Sequence, residues 1–287
     1  MLDQRKHFKE LLAAPETVFA PLCLDALASR IVTEYGFAAG YVSGGALGYA
    51  HGVSEALLTL SELVDTTRHI TVRSNLPIIV DVGVGFGDPV HVTRTVWEIE
   101  STGAVAMEIE DQVAPKRVSH HRGIEHLIST DAMVEKIQHA VAARVDPNFL
   151  IIARTGAVKN ESFELAITRA NAYREAGADI IMLMPGKEDE WKLAPTLIDA
   201  PLAAISSLDA RSNQEWQALG WTLIIDPFTA QVVAVDAVRD AYRKFQQTGA
   251  TGLDTHKIFQ TYRELPRLAG IEMLFEIEDQ TTEKPPE

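Results

Sequence analysis

Cysteine is almost absent. Cys23 is the only one in the chain, so no intrachain disulfide can form, a composition compatible with a reducing compartment. Positive charge is scarce as well: 26 Lys and Arg face 40 Asp and Glu, a net charge of −14. That balance argues against a nucleic-acid partner, because phosphate backbones need a basic face, and equally against an anionic membrane surface. Long apolar runs are missing too. None approaches the roughly 18 residues needed to cross a bilayer, and the opening MLDQRKHFKELL is charged throughout, unlike a signal peptide. The expectation is a soluble, cytoplasmic protein whose partner is a small molecule. An acidic surface can still hold a small basic pocket, so acidic substrates stay open.

What the chain does have is a recurring pattern. A helical stretch ends in Gly, a few residues follow, and a short apolar run appears, as at Gly36, Gly103, Gly177 and Gly220. Gly just past a helix supplies a left-handed cap. The runs that follow are continuous in Val, Ile, Leu and Met, as parallel strands buried on both faces require. Eight such strands are expected near residues 17–21, 40–43, 77–81, 104–110, 149–154, 179–184, 201–206 and 222–226, with helical patterns between them. Eight βα units in 287 residues predict an α/β fold, a (β/α)₈ TIM barrel forming one domain over 1–287. An open doubly wound sheet is the alternative. Residues 231–275 are expected to add C-terminal helices, and the polar tail after about 276 to fray. Val96, Trp97, Ile99 and the Met182–Met184 stretch fit core packing, and Cys23 fits an inert buried thiol.

In such a barrel the chemistry sits at the C-terminal ends of the strands, which selects a short set of residues. Ser43-Gly44-Gly45 follows the second strand and can offer backbone N–H groups to a carboxylate, or can simply turn the chain. Asp81 and Glu110 end adjacent strands and suit a hydrated Mg²⁺, or hydrogen-bond their own loops. Gly83, Gly85 and Gly87 let backbone pack closely over the mouth, without the Lys-Ser/Thr of a phosphate loop. Arg154 can grip a carboxylate or phosphate, or form an internal salt bridge to Glu110. Lys116, Arg117, His120 and His121 lie on a long segment that can act as a lid or as a solvated basic loop.

These residues, in order, resemble the isocitrate lyase/phosphoenolpyruvate mutase superfamily: YVSGG at 41–45, D-x-G-x-G-F-G at 81–87, IEDQ at 109–112, KR-x-x-H at 116–120 and ART at 153–155. The resemblance spans about residues 15–250 and is strongest to methylisocitrate lyase, dimethylmalate lyase and oxaloacetate-cleaving members. It implies a metal-assisted lyase that breaks a C–C bond of a small α-keto or hydroxy di-acid through an enolate. Ser43, Gly44, Gly45 and Arg154 would bind substrate, Asp81 and Glu110 would hold Mg²⁺ or Mn²⁺, and Lys116, His120 and Arg154 would act in catalysis. It also implies a homo-oligomer, a tetramer.

The sequence departs from the family pattern at several positions. Gly83 and Ser54 stand where the family has acids, with Glu55 beside the latter. Val118 replaces the acidic thiol of K-[KR]-C-G-H, and is expected to be a buried apolar residue in its place; Met184, Ala204 and Gly156 replace an acid, an Asn and an Asp. Simple oxaloacetate decarboxylation, which can draw its proton from solvent or from His120, tolerates these losses best. The alternatives are a member with a degraded metal site that binds a carboxylate without lyase activity, and a hydrolase or phosphonate-processing enzyme on the same barrel.

Overall fold

The computed structural model describes residues 2–283. Its strands are β1 (Val18–Pro21), β2 (Gly40–Val42), β3 (Ile78–Asp81), β4 (Ala106–Glu110), β5 (Leu150–Arg154), β6 (Ile180–Met182), β7 (Leu202–Ile205) and β8 (Leu223–Asp226). The helices are α1 (Leu2–Ala13), α2 (Ala26–Glu34), α3 (Gly44–His51), α4 (Leu60–Thr71), α5 (Pro89–Ser101), α6 (Thr130–Ala143), α7 (Ala157–Asn160), α8 (Phe163–Glu175), α9 (Glu188–Leu197), α10 (Asn213–Leu219), α11 (Thr229–Thr248), α12 (Thr255–Ala269) and α13 (Glu272–Gln280). All eight expected strands are present, and each strand pairs in parallel with its sequence neighbours from β2 round to β8. β8 then pairs with β1, and a Leu22–Tyr41 bridge joins β1 to β2. That ring of pairings makes the sheet a barrel and excludes the open alternative.

Burial explains why the strands read as apolar runs. One face of each strand packs outward on helices, in a cluster that includes Val80, Met107, Ile151, Ile181 and Ile224. The other face fills the barrel with Ile79, Ala106, Ile152, Met182 and Ile225, and α1 closes the lower end with Phe8 and Leu12. Residues two apart share a face. The inward row of β4 therefore runs Ala106, Glu108, Glu110, and that of β5 runs Leu150, Ile152, Arg154. Apolar layers lie below, and a charged layer lies at the C-terminal mouth.

Two glycines on the loop after β3 set its path. Gly85 has φ +75°, and a Cβ there would stand 2.8 Å from both Ile109 Cδ1 and Val92 Cγ2, so only glycine lets the loop lie this close to β4 and α5. Gly83 has φ +54° but meets no such crowding. The loop delivers no anion site: Asp88 caps α5, its Oδ1 accepting from the Val90 N–H at 3.2 Å.

Three expectations change. Val96 and Ile99 are fully buried, but Trp97 is 55% exposed, on the outer face of α5. The expected fray after about 276 does not hold through Gln280, where α13 continues; residues 284–287 lie outside the described residues. Val118 is 55% exposed instead of buried. Cys23 is buried as expected, and burial pushes its thiol up to about 12. Among the described residues no helix is long and apolar enough to cross a membrane.

Candidate active site at the barrel mouth

The charged layer is tightly paired. Arg154, at the end of β5, places Nη1 3.1 Å from Glu108 Oε1 and 3.8 Å from Glu110 Oε2, and Nη2 3.8 Å from Glu125 Oε1. Tyr41 donates its hydroxyl to the other oxygen of Glu108, which is completely buried. Gln112 Nε2 donates to Glu110 Oε2 at 2.8 Å. Arg154 Nε is buried without a protein acceptor. That leaves a buried guanidinium donor with no protein partner.

Lys116 enters the same layer from the segment after β4. Its ammonium sits against Glu55 Oε1 and Glu110 Oε1, with the side chain only 8% exposed. His120 follows on a single 3₁₀ turn, Val118–Arg122. Its Nε2 lies 3.1 Å from Glu55 Oε1, and its Nδ1 lies 2.7 Å from the Arg117 carbonyl. Both ring nitrogens face groups that only accept, so this geometry calls for the doubly protonated imidazolium. His121 instead bonds Tyr49 Oη at 3.0 Å and Ser54 Oγ at 2.9 Å, bracing the turn from outside.

The electrostatics follow from crowding. Glu55, Asp81, Glu108, Glu110 and Glu125 face three cations, Lys116, Arg154 and His120. Burial first, then the Glu108 and Glu55 charges, push Asp81 up to about 8. Burial also raises Glu125, against the pull of Arg154. Burial works against the Glu55 charge, but the His120 hydrogen bond and the Lys116 ammonium overcome it and hold Glu55 down to about 2. The Glu55 hydrogen bond raises His120 above its ordinary value.

The sequence-derived residues do converge. Ser43, Gly45, Asp81, Lys116, His120 and Arg154 line one cavity of about 260 Å³, with Glu110 beneath Lys116 and Arg154. Gly44 is a correction: its N–H is spent on Asp81 Oδ2 at 3.0 Å and is not free for a ligand carboxylate. Ser43 caps α3, its Oγ accepting from the Ala46 N–H at 3.2 Å. Gly45 lies in the first turn of α3, where an N–H has no intrahelical acceptor. Glu108, Tyr41 and Glu125 were not anticipated. Glu108 had a readable signal, since Glu-x-Glu in a buried strand sends both acids to the same interior face.

The expected metal pair fits less well. Asp81 spends Oδ2 on Gly44 and Oδ1 on the Gly83 N–H at 2.9 Å, and Glu110 is held by Gln112, Lys116 and Arg154. Among the described residues no three His, Cys, Asp or Glu side chains come together as metal donors. The residues present do not fit a divalent ion in this arrangement. Of the other departures, Ala204 is fully buried outside the mouth, and Met184 lines a separate cavity.

Residues 8–246 match the family described as phosphoenolpyruvate phosphomutase. The chain is 36% identical over 286 residues to 2,3-dimethylmalate lyase of Eubacterium barkeri, covering 96% of this chain and 98% of that protein. It is 32% identical over 268 residues to oxaloacetate decarboxylase of Chromohalobacter salexigens, covering 92% of each. Among solved structures, a 2,3-dimethylmalate lyase of the PEP mutase/isocitrate lyase superfamily superimposes with a TM-score of 0.86 at 29% identity, over 96% of this chain and 95% of that one. A phosphonopyruvate hydrolase complexed with oxalate and Mg²⁺ gives 0.85 at 26% identity, over 97% and 99%.

Proposed function

The chain belongs to the phosphoenolpyruvate phosphomutase family, and from that premise we propose that it is a carbon–carbon lyase acting on a small α-keto or hydroxy di-acid, with decarboxylation of an oxaloacetate-type substrate the reaction its site fits best. The observation that carries this is a cavity of about 260 Å³ lined by two cations, Lys116 and Arg154, the second with a buried Nε that no protein group accepts from. A volume below the drug-sized range suits a small metabolite. Relatives named for dimethylmalate cleavage and oxaloacetate decarboxylation support the same class.

The residues divide the work. Loss of CO₂ from a β-keto acid sends the electron pair of the breaking C–C bond onto the α-keto oxygen, and the resulting enolate carbon then takes a proton. Arg154 Nε and Lys116 are fixed where that oxyanion develops, in a site that shields charge poorly. The first turn of α3, with the Gly45 N–H, receives a substrate carboxylate. His120, held as an imidazolium by Glu55 and the Arg117 carbonyl, supplies the proton when its Nε2–H turns from Glu55 to the enolate carbon. Val118 points to solvent and has no part in it. The family works with a divalent metal, but no step here is routed through Mg²⁺ or Mn²⁺, because Asp81 and Glu110 are otherwise engaged. In a screen of oxaloacetate, dimethylmalate, methylisocitrate and phosphonopyruvate, oxaloacetate should be converted fastest, with pyruvate and CO₂ as products. No cleavage of any of the four would defeat the proposal.

We also propose self-association through the C-terminal helices, as a homotetramer. Val235, Val238, Tyr242 and Phe245 are spaced along one face of α11 and are all about half exposed or more. Met273, Leu274 and Phe275 of α13 are exposed as well, while Leu268 and Ile271 are half-buried against the chain itself. Such a surface is larger than a monomer ordinarily leaves to water. Light scattering should give a multiple of the 31.5 kDa chain mass. A monomer at micromolar concentration would refute this.

A further inference from the structure

We propose that the Lys116 ammonium is the resident cation of this site, seated between Glu55 and Glu110 in place of a divalent ion, so that the protein works without a bound metal. Both carboxylates turn one oxygen, Oε1, toward the same Nζ. They come from distant parts of the chain, the loop after α3 and the end of β4, so the lysine joins two elements of the mouth that a bridging metal ion would otherwise join. Glu110 Oε1 is buried and takes no other protein hydrogen bond, so without the ammonium that oxygen would be left buried with no partner, Arg154 and Gln112 reaching only Oε2.

Position 83 faces this pair. A Cβ built on Gly83 would stand 3.8 Å from Glu110 Oε1 and 3.9 Å from Lys116 Cδ. The aliphatic stem of Lys116 therefore runs past the space that a side chain at 83 would enter, and a carboxylate there would compete for the same cation. Lys116 and Glu55, with Asp81, line both the 260 Å³ cavity and a second one of about 690 Å³. A tethered ammonium is always present at full occupancy, carries its charge on a stem already packed, and needs no assembly of three donors.

The chemical half of this proposal rests on the lyase reading; the binding half does not, and the experiment reads binding. Chelator-treated full-length protein is titrated with Mn²⁺ at neutral pH, and free Mn²⁺ is followed by electron paramagnetic resonance, with and without oxalate. The wild-type protein should show no one-per-chain site tighter than about 1 mM. Lys116→Met keeps the stem and removes the charge. It should bind one Mn²⁺ per chain at least about tenfold more tightly than wild type. Lys116→Arg should bind as weakly as wild type. If Lys116→Met does not fold by circular dichroism, Lys116→Gln takes its place, and the wild-type titration alone still decides against the idea if it is tight. A stoichiometric micromolar site in the wild type overturns the proposal. So does a folded Met or Gln variant that binds no better than wild type. Either result leaves the lyase assignment standing, since the substrate screen tests that separately.

Discussion

Replacing Arg154 with methionine should lower kcat/KM on the best substrate by about 10³-fold and destabilise the fold by about 3 kcal/mol in the same variant. The two losses have different causes. Arg154 Nε has no protein acceptor, the donor that the proposed mechanism gives to the developing oxyanion, and removing a preorganised donor of this kind costs about 10²- to 10³-fold in rate. Arg154 Nη1 is also the charge partner of Glu108, which is completely buried. Without the guanidinium, Glu108 keeps only the Tyr41 hydroxyl and carries an uncompensated charge. A second change separates the effects. Arg154→Met/Glu108→Gln should recover most of the stability, because the buried acid is gone, and none of the activity, because the oxyanion donor is still missing. Urea unfolding midpoints and steady-state kinetics of the three proteins test this. If the double variant regains activity, Arg154 acts only through Glu108 and the proposed role in charge stabilisation is wrong.

The difference between Glu108 and Asp81 shows what could be read from the sequence. Asp81, Glu110 and Arg154 stand at the ends of apolar runs, and a barrel collects strand ends at one mouth, so their convergence follows from local pattern alone. The barrel itself was legible for the same reason: Gly36, Gly103, Gly177 and Gly220 all take positive φ after their helices, and a strand buried on both faces must be apolar throughout. The partners were harder to see. Lys116 meets Glu55, and Tyr41 meets Glu108, across 61 and 67 residues of chain, and no spacing rule links positions so far apart. The Gly44 N–H looked free because a turn after a strand often is; only the path of β3 shows that Asp81 has taken it. Trp97 misled because it lies between Val96 and Ile99, which are buried. On α5 it falls one step round the helix, on the solvent side, where its Nε1 donates to the Ala143 carbonyl at 3.1 Å.

His120→Ala should lower kcat by about 10²-fold and remove the alkaline limb of the pH–rate profile. The proton donor must be protonated to act, so activity is full below the His120 pKa and falls as pH rises through it. The Glu55 hydrogen bond raises that pKa, so the limb lies above the ordinary histidine value of about 6.5. The same sign governs stability. The His120–Glu55 pair contributes fully below the unfolded-state pKa and is lost as pH climbs through the raised folded one. Glu55→Gln removes the largest cause of the shift, so it should move the limb to lower pH without abolishing it. Asp81 is the rival origin, since burial and its carboxylate neighbours push it up to about 8, also above the ordinary histidine value. The two are told apart by the alanine variant: a limb that disappears belongs to His120, and one that stays near pH 8 belongs to Asp81. Added imidazole should restore part of the lost rate if the cavity left by the ring admits it. A loss of only a few-fold, with the limb unchanged, would mean that water delivers the proton to the enolate carbon and that His120 serves only to hold Glu55 against Lys116.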